Sequence, residues 1–166
     1  MISFKIDQTK DFMNKLLLQE AFDAFLVKEA TISTFQTLHI DGKRNKDFYN
    51  NEELEELGTD IDYVKWNEIK PLCFQAIKGK KTPLSFKFIF KLSEKNTEKF
   101  LLQTGLSFTP ADISGLFLNI IFENNEIHCV SGTALTIFTM DKSLDDEWDA
   151  MVERYLKQLQ VEYERM

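Results

Sequence analysis

His128 and Cys129 are neighbours, and they belong to the two residue types most often used to bind metals or attack carbonyl groups. Their stretch alternates like a strand, and strand neighbours point to opposite faces. The pair therefore cannot share a metal ion. His39 and Cys73 add no spacing of the structural-zinc kind. A Cys–His nucleophile pair would need a thiolate, and a thiol held among apolar side chains is inert. Cys73 and Cys129 read as buried free thiols, and the compartment as reducing.

Gly79-Lys80-Lys81-Thr82 has the ending of a phosphate-binding loop. That loop needs a glycine five residues before its Gly-Lys pair, after a strand and ahead of a helix. Position 74 is Phe, a helical pattern precedes the run and a strand pattern follows it. The motif is rejected. Lys78, Lys80 and Lys81 instead complement a helix C-terminus, and a weak anion site is the functional alternative there. The acidic clusters Glu52–Glu56 and Asp145–Asp149 lack the glycine-containing spacing of a calcium loop and read as solvated charge. Phe86, Phe88 and Phe90 alternate as core residues rather than as a base-stacking platform. The residues thus point away from catalysis. No catalytic, cofactor-binding or metal-ligating residue is expected.

The elements that would position any site follow from periodicity. Residues 2–6 alternate as a strand. Asp7 or Thr9 can cap the helix that presents Phe12, Met13, Leu16 and Leu17. Residues 25–40 read as one or two strands closing at Asp41-Gly42, a hairpin turn signal. Residues 43–62 are highly charged and read mostly as loop, with a turn of helix at Glu52–Leu57. Whether they order only on binding is open at this level. Trp66, Ile69, Leu72, Cys73, Ala76 and Ile77 keep helical spacing, and Pro71 is tolerable if that helix starts near Asn67. A strand at 84–92 leads to a helix capped by Ser93 and ended by Gly105. Strands at 116–122 and 127–130 flank an Asn124-Asn125 turn, and Ser131-Gly132-Thr133 breaks the ladder before Leu135–Met140 resumes it. Ser143 and Asp146 resemble a capping box at the start of a clean amphipathic helix through Trp148, Val152 and Leu156.

Each half therefore reads strand, helix, two or three strands, helix. Phe4-Lys5-Ile6 with Lys15-Leu16-Leu17-Leu18-Gln19 is echoed by Phe90-Lys91-Leu92 with Lys99-Phe100-Leu101-Leu102-Gln103. The expected fold class is α+β. One domain over 1–166 holds a largely antiparallel sheet of six to eight strands with four helices, in pseudo-repeats of about 1–80 and 84–163. The expected core includes Phe12, Leu16, Ile32, Trp66, Leu72, Phe86, Phe88, Phe90, Leu101, Phe117, Ile120, Phe122, Phe138, Trp148, Val152 and Leu156. Fifteen Phe and 43% hydrophobic residues support a packed globule. The formal charge is −7, from 20 Lys+Arg against 27 Asp+Glu, so polyanions are repelled unless a local basic face exists. No run approaches the roughly 18 apolar residues of a membrane span, and the N-terminus does not read as a signal peptide.

Lys10–Leu17, Lys70–Leu84, Gly115–Asn119, Ser131–Leu135 and Phe138–Leu144 resemble an uncharacterised bacterial family known only as a domain of unknown function. That resemblance covers nearly the whole chain. It implies a cytoplasmic bacterial protein and supplies no activity, cofactor or catalytic residue. Residues 87–142 also resemble one repeat unit of the bacterial sliding clamp, through a strand, the helix from Lys95 to Gln103, and a hairpin ending in Val130–Met140. A clamp-like architecture implies that Lys10, Lys15, Lys95 and Lys99 face DNA, each making a salt-sensitive phosphate contact.

Three functional readings follow. The first is a non-catalytic interaction or binding module that self-associates or meets a protein partner. The second is a clamp-like protein associated with nucleic acid. The third is a small-ligand binder or enzyme whose site holds His39 or His128 beside Asp41 or Glu123. None involves a membrane.

Overall fold

Alternation along Phe86, Phe88 and Phe90 makes one side of a strand apolar, and that side organises the molecule. A computed structural model describes all 166 residues. The strands are β1 (Ser3–Ile6), β2 (Leu26–Ser33), β3 (Thr37–Asp41), β4 (Ser85–Lys91), β5 (Ile113–Glu123), β6 (Glu126–Leu135) and β7 (Tyr163–Arg165). They form one antiparallel sheet in the order β3-β2-β4-β5-β6-β1-β7. The helices are α1 (Thr9–Leu17), α2 (Asn51–Leu57), α3 (Trp66–Ile77), α4 (Glu94–Thr104) and α5 (Ser143–Gln158), with 3-10 turns at Lys46–Phe48 and Pro110–Asp112. The fold is α+β.

Register carries the pattern across the sheet. Ile32, Phe86 and Phe122 share one row, and Ala30, Phe88, Ile120, Cys129 and Phe4 share the next. All of these side chains are buried. Trp66 of α3 stands 4.8 Å from the Phe88 ring and 5.1 Å from that of Phe90. Phe12 and Leu16 of α1 and Leu144, Trp148, Val152 and Leu156 of α5 join the same core cluster of 30 residues. On the opposite side of the sheet Lys5, Lys87, Ile89, Asn119, Ile121, His128 and Val130 are half-buried or exposed.

The strands that open the two expected repeats lie apart in the sheet. β4 sits beside β2, and β1 lies beside β6. All seven strands form one sheet, and one cluster of buried residues forms its core.

Several local expectations are corrected. Five α-helices form rather than four, because Asn50 builds a capping box that starts α2: its side chain accepts from Glu53 N at 2.8 Å, and its own N–H donates to Glu53 Oε1 at 3.1 Å. Asp41-Gly42 ends β3 and is not the hairpin turn, which lies at Thr34–Gln36. Gly42 is needed for a different reason: a Cβ there would collide with the Val27 carbonyl. Pro71 lies beyond the first turn of α3, which begins at Trp66, so one backbone bond of that helix is missing. Neither Asp7 nor Thr9 caps α1; the N-cap is Gln8, without a side-chain bond. Ser143 is the first helical residue of α5, and Asp141 Oδ1 accepts its N–H at 2.9 Å. Ser131-Gly132-Thr133 continues β6 instead of breaking it, and Thr136–Met140 leaves the sheet. Leu72 and Phe138, expected in the core, are 55% and 92% exposed. Ser93, Gly105 and the Asn124-Asn125 turn form as expected, the last three with positive φ.

The charged segment 43–62 is held by a single buried cation. Arg44 Nη1 and Nη2 reach Glu68 Oε1 and Oε2 at 3.0 and 2.7 Å, while Nη1 also donates to Tyr49 Oη and Nε to the Ile61 carbonyl, both at 3.0 Å. Glu68 in turn accepts the Lys65 N–H at 2.7 Å, at the start of α3. The Arg44 hydrogen bonds hold the Glu68 carboxyl below its ordinary range, outweighing its partial burial.

Phe88→Ala should destabilise the protein by about 3–5 kcal/mol, read from the chemical-denaturation midpoint. Because the folded-state pKa of Glu68 is depressed, its contribution is complete above the ordinary carboxyl pKa. It is lost as pH falls through the depressed folded value. The stability gap between the parent and Glu68→Gln should therefore be widest near neutral pH and close on acidification. A gap independent of pH would show that the charge of Glu68 is irrelevant.

Candidate functional site

α4 starts where Ser93 Oγ accepts the Asn96 N–H at 3.2 Å and ends at Gly105, whose φ of 67° turns the chain away. Phe100 and Leu101 anchor its buried side. Asn96, Lys99 and Gln103, spaced three and four apart, share the side that looks toward α5. On α5, Trp148, Met151, Val152 and Tyr155 form one stripe by the same spacing. Between the two helices lies a cleft of about 260 Å³, also lined by Ala24, Phe25, Leu92 and Leu118.

The walls are held from outside the cleft. Trp148 Nε1 donates to the Phe117 carbonyl at 2.9 Å, and its ring meets Phe100 edge-on at 5.7 Å. Tyr155 Oη donates to the Ala21 carbonyl, and the Tyr155 ring packs edge-on against Phe25 at 5.7 Å. Burial, reinforced by the charge of Asp23, pushes the Tyr155 phenol up to about 12. It stays a neutral donor, so the wall keeps its shape at any physiological pH. Nine of the twelve lining residues are hydrophobic, Lys99 is the charged one, and no carboxylate lines the cleft. Lys99 takes part in no salt bridge. An apolar trough with one cation at its polar mouth can hold an apolar chain and orient its anionic end.

The four lysines singled out in the sequence have different surroundings. Lys95 and Lys99 share one side of α4. Lys10 and Lys15 lie about 140° apart around α1, at about 100° per residue. Lys15 is bound to Asp11 at 2.5 Å, and its side chain is 15% exposed. α1 packs on α3, whereas α4 packs on the Pro110–Asp112 turn and, through Phe100, on α5.

Neither histidine lines the α4–α5 cleft. His39 Nδ1 is 3.0 Å from Thr31 Oγ1. His128 Nε2 is 3.2 Å from Glu126 Oε2, so its carboxylate partner is not Glu123. Asp41 accepts the Lys43 N–H at 3.0 Å rather than meeting His39. Cys129 is fully buried behind His128, on the other side of the sheet. Burial pushes the Cys73 thiol up to about 12 and raises that of Cys129 as well. No cluster of three metal-ligating side chains forms. No helix is long and apolar enough to cross a membrane.

The sequence places Met151 and Tyr155 on an apolar helical stripe. It does not reveal that α4 stands far enough from α5 to leave the stripe open. The alignment of Asn96, Lys99 and Gln103 was the one available signal. Beyond this geometry, comparison decides the family. A model of a family of unknown function, DUF5721, matches residues 15–164. The chain belongs to DUF5721. No curated protein and no solved structure matches it, and the sliding-clamp likeness of residues 87–142 is not shown.

Both thiols of this DUF5721 chain should stay unreactive toward a disulfide reagent in the native state and both should react in denaturant. Fast modification without denaturant would contradict their burial.

Proposed function

We propose that the protein is a non-catalytic binding module whose α4–α5 cleft takes a small linear amphiphile with an anionic head. The observation that carries this reading is the charge distribution of the cleft. In a chain of net charge −7, an apolar trough is lined by one cation and no anion. Its alkyl part would lie against Leu92, Leu118 and Met151, and its head group would meet Lys99, with Asn96 and Gln103 as hydrogen-bonding neighbours. Ligand pockets run from about 300 to 1,000 Å³. The cleft is slightly smaller, which favours a short chain over a ring system.

The same reading takes residues 1–166 as one domain, a pseudo-duplicate, of a bacterial cytoplasmic protein. The shared core and two unpaired buried thiols support it. The nucleic-acid reading has one observation in its favour, the pair Lys95 and Lys99 on one side of α4. Against it, Lys15 is already engaged by Asp11.

Calorimetric titration of the full chain with decanoate should give saturable one-site binding. Lys99→Gln should weaken it about tenfold, near 1.4 kcal/mol. Met151→Trp, which fills the trough, should abolish it while leaving the circular dichroism spectrum unchanged. Unsaturable heats, or affinity indifferent to both substitutions, would remove the proposal.

A further inference from the structure

A local departure from the acidity of the chain lies just beyond α3. Lys78, Lys80 and Lys81 follow Ile77 there, and none takes part in a salt bridge. They border a groove of about 420 Å³ whose other wall is the β2–β3 turn. Ile32 and Leu38, paired across β2 and β3, line the groove, and no carboxylate does. Phe35 at the tip of the turn is 93% exposed. Leu84 is 73% exposed at the same end, where its N–H donates to the Ser33 carbonyl at 2.9 Å. Lys78 Nζ lies 5.9 Å from the centre of the Phe74 ring, and none of the three ammonium groups meets a carboxylate, while the exposed Phe35 and Leu84 contribute nothing to the packed core.

A second observation adjoins the groove. β3 is the terminal strand of the sheet, so its outer edge has no strand partner. Its five residues, Thr37–Asp41, include no lysine, no proline and no bulge, and their one carboxylate, Asp41, stands at the strand's end away from the β2–β3 turn. We infer that the β3 edge and this groove together bind an extended acidic segment of a partner protein that carries one apolar side chain. Main-chain pairing to β3 would supply affinity. The apolar side chain would settle beside Leu38 and Phe35, and the carboxylates would face Lys78, Lys80 and Lys81. The concavity and the adjoining edge suit an extended chain. A flat bilayer would meet only the rim formed by Phe35 and Leu84. The α4–α5 cleft shares no lining residue with this groove, so the two sites are tested separately.

The test is to pan a library of random linear peptides against the full chain and measure the enriched peptides by fluorescence anisotropy. Enrichment of sequences with carboxylates flanking an apolar residue is expected. Binding should weaken at least about tenfold in the triple variant Lys78→Glu, Lys80→Glu, Lys81→Glu, and should fall with added salt. Amide exchange in Thr37–Asp41 should slow when the peptide is bound. The substituted side chains are exposed, so an unchanged thermal midpoint would verify folding. No enrichment, enrichment without acidic residues, or affinity untouched by the triple variant would overturn the inference. So would sedimentation of the parent chain with phosphatidylserine vesicles, lost in Phe35→Ala, in the absence of peptide binding.

Discussion

The pleat of β4 and β5 is the constraint on which the rest depends. Period-two alternation sends Phe86, Phe88 and Phe90 of one strand, and Leu118, Ile120 and Phe122 of the next, to the same side. A sheet with one apolar face must be covered on that face. α1, α3, α4 and α5 all contribute side chains to the core there. The covering helices cannot close every gap over a twisted sheet, and the α4–α5 cleft is the space left between two of them. The site is thus a by-product of covering one face with separate rods, refined by which residues happen to border it.

The second organising interaction is polar. Arg44 is almost wholly buried, and each side of its guanidinium is satisfied: Glu68 takes two bonds, Tyr49 and the Ile61 carbonyl one each. Only the cation of this pair is enclosed, since the Glu68 side chain is 37% exposed, so the net gain in stability is small, but a guanidinium this enclosed is costly to leave without its partners. It therefore acts on conformation. It gives the charged segment between β3 and α3 one place to lie, assisted by the Val64 carbonyl accepting the Val27 N–H at 2.8 Å.

Much of this architecture was legible in the chain, and the reasons for the failures are physical. Strands with strict alternation and helices with a clear cap, such as β4 and α4, announce themselves because burial and local geometry agree. Leu72 keeps helical spacing with Trp66 and Ile69, yet it lies exposed because α3 packs through Trp66, Cys73 and Ile77. Periodicity names a stripe and does not say how wide its neighbour is. Phe138 follows a strand pattern into a segment where no partner strand waits. Asp41-Gly42 has turn chemistry, but its glycine serves the close approach of Val27, a constraint from another strand. For the site, Lys99 was visible and its setting was not. The cleft depends on the distance between helices, which no local pattern encodes.

The position of β1 has a consequence for how the chain acquires its shape. β2 with β3 and β5 with β6 are hairpins of neighbouring strands, and their closure entropy is small. β1 instead pairs with β6, Phe4 opposite Cys129, and with β7 at the other end of the sequence. During synthesis β1 therefore emerges long before its partners β6 and β7. Until they emerge β1 is unpaired and stands open to any other strand that reaches it. A sheet that joins strands so far apart in the chain folds at a pace set by topology rather than by local propensity, and the growing chain depends on β1 being kept clear of other strands.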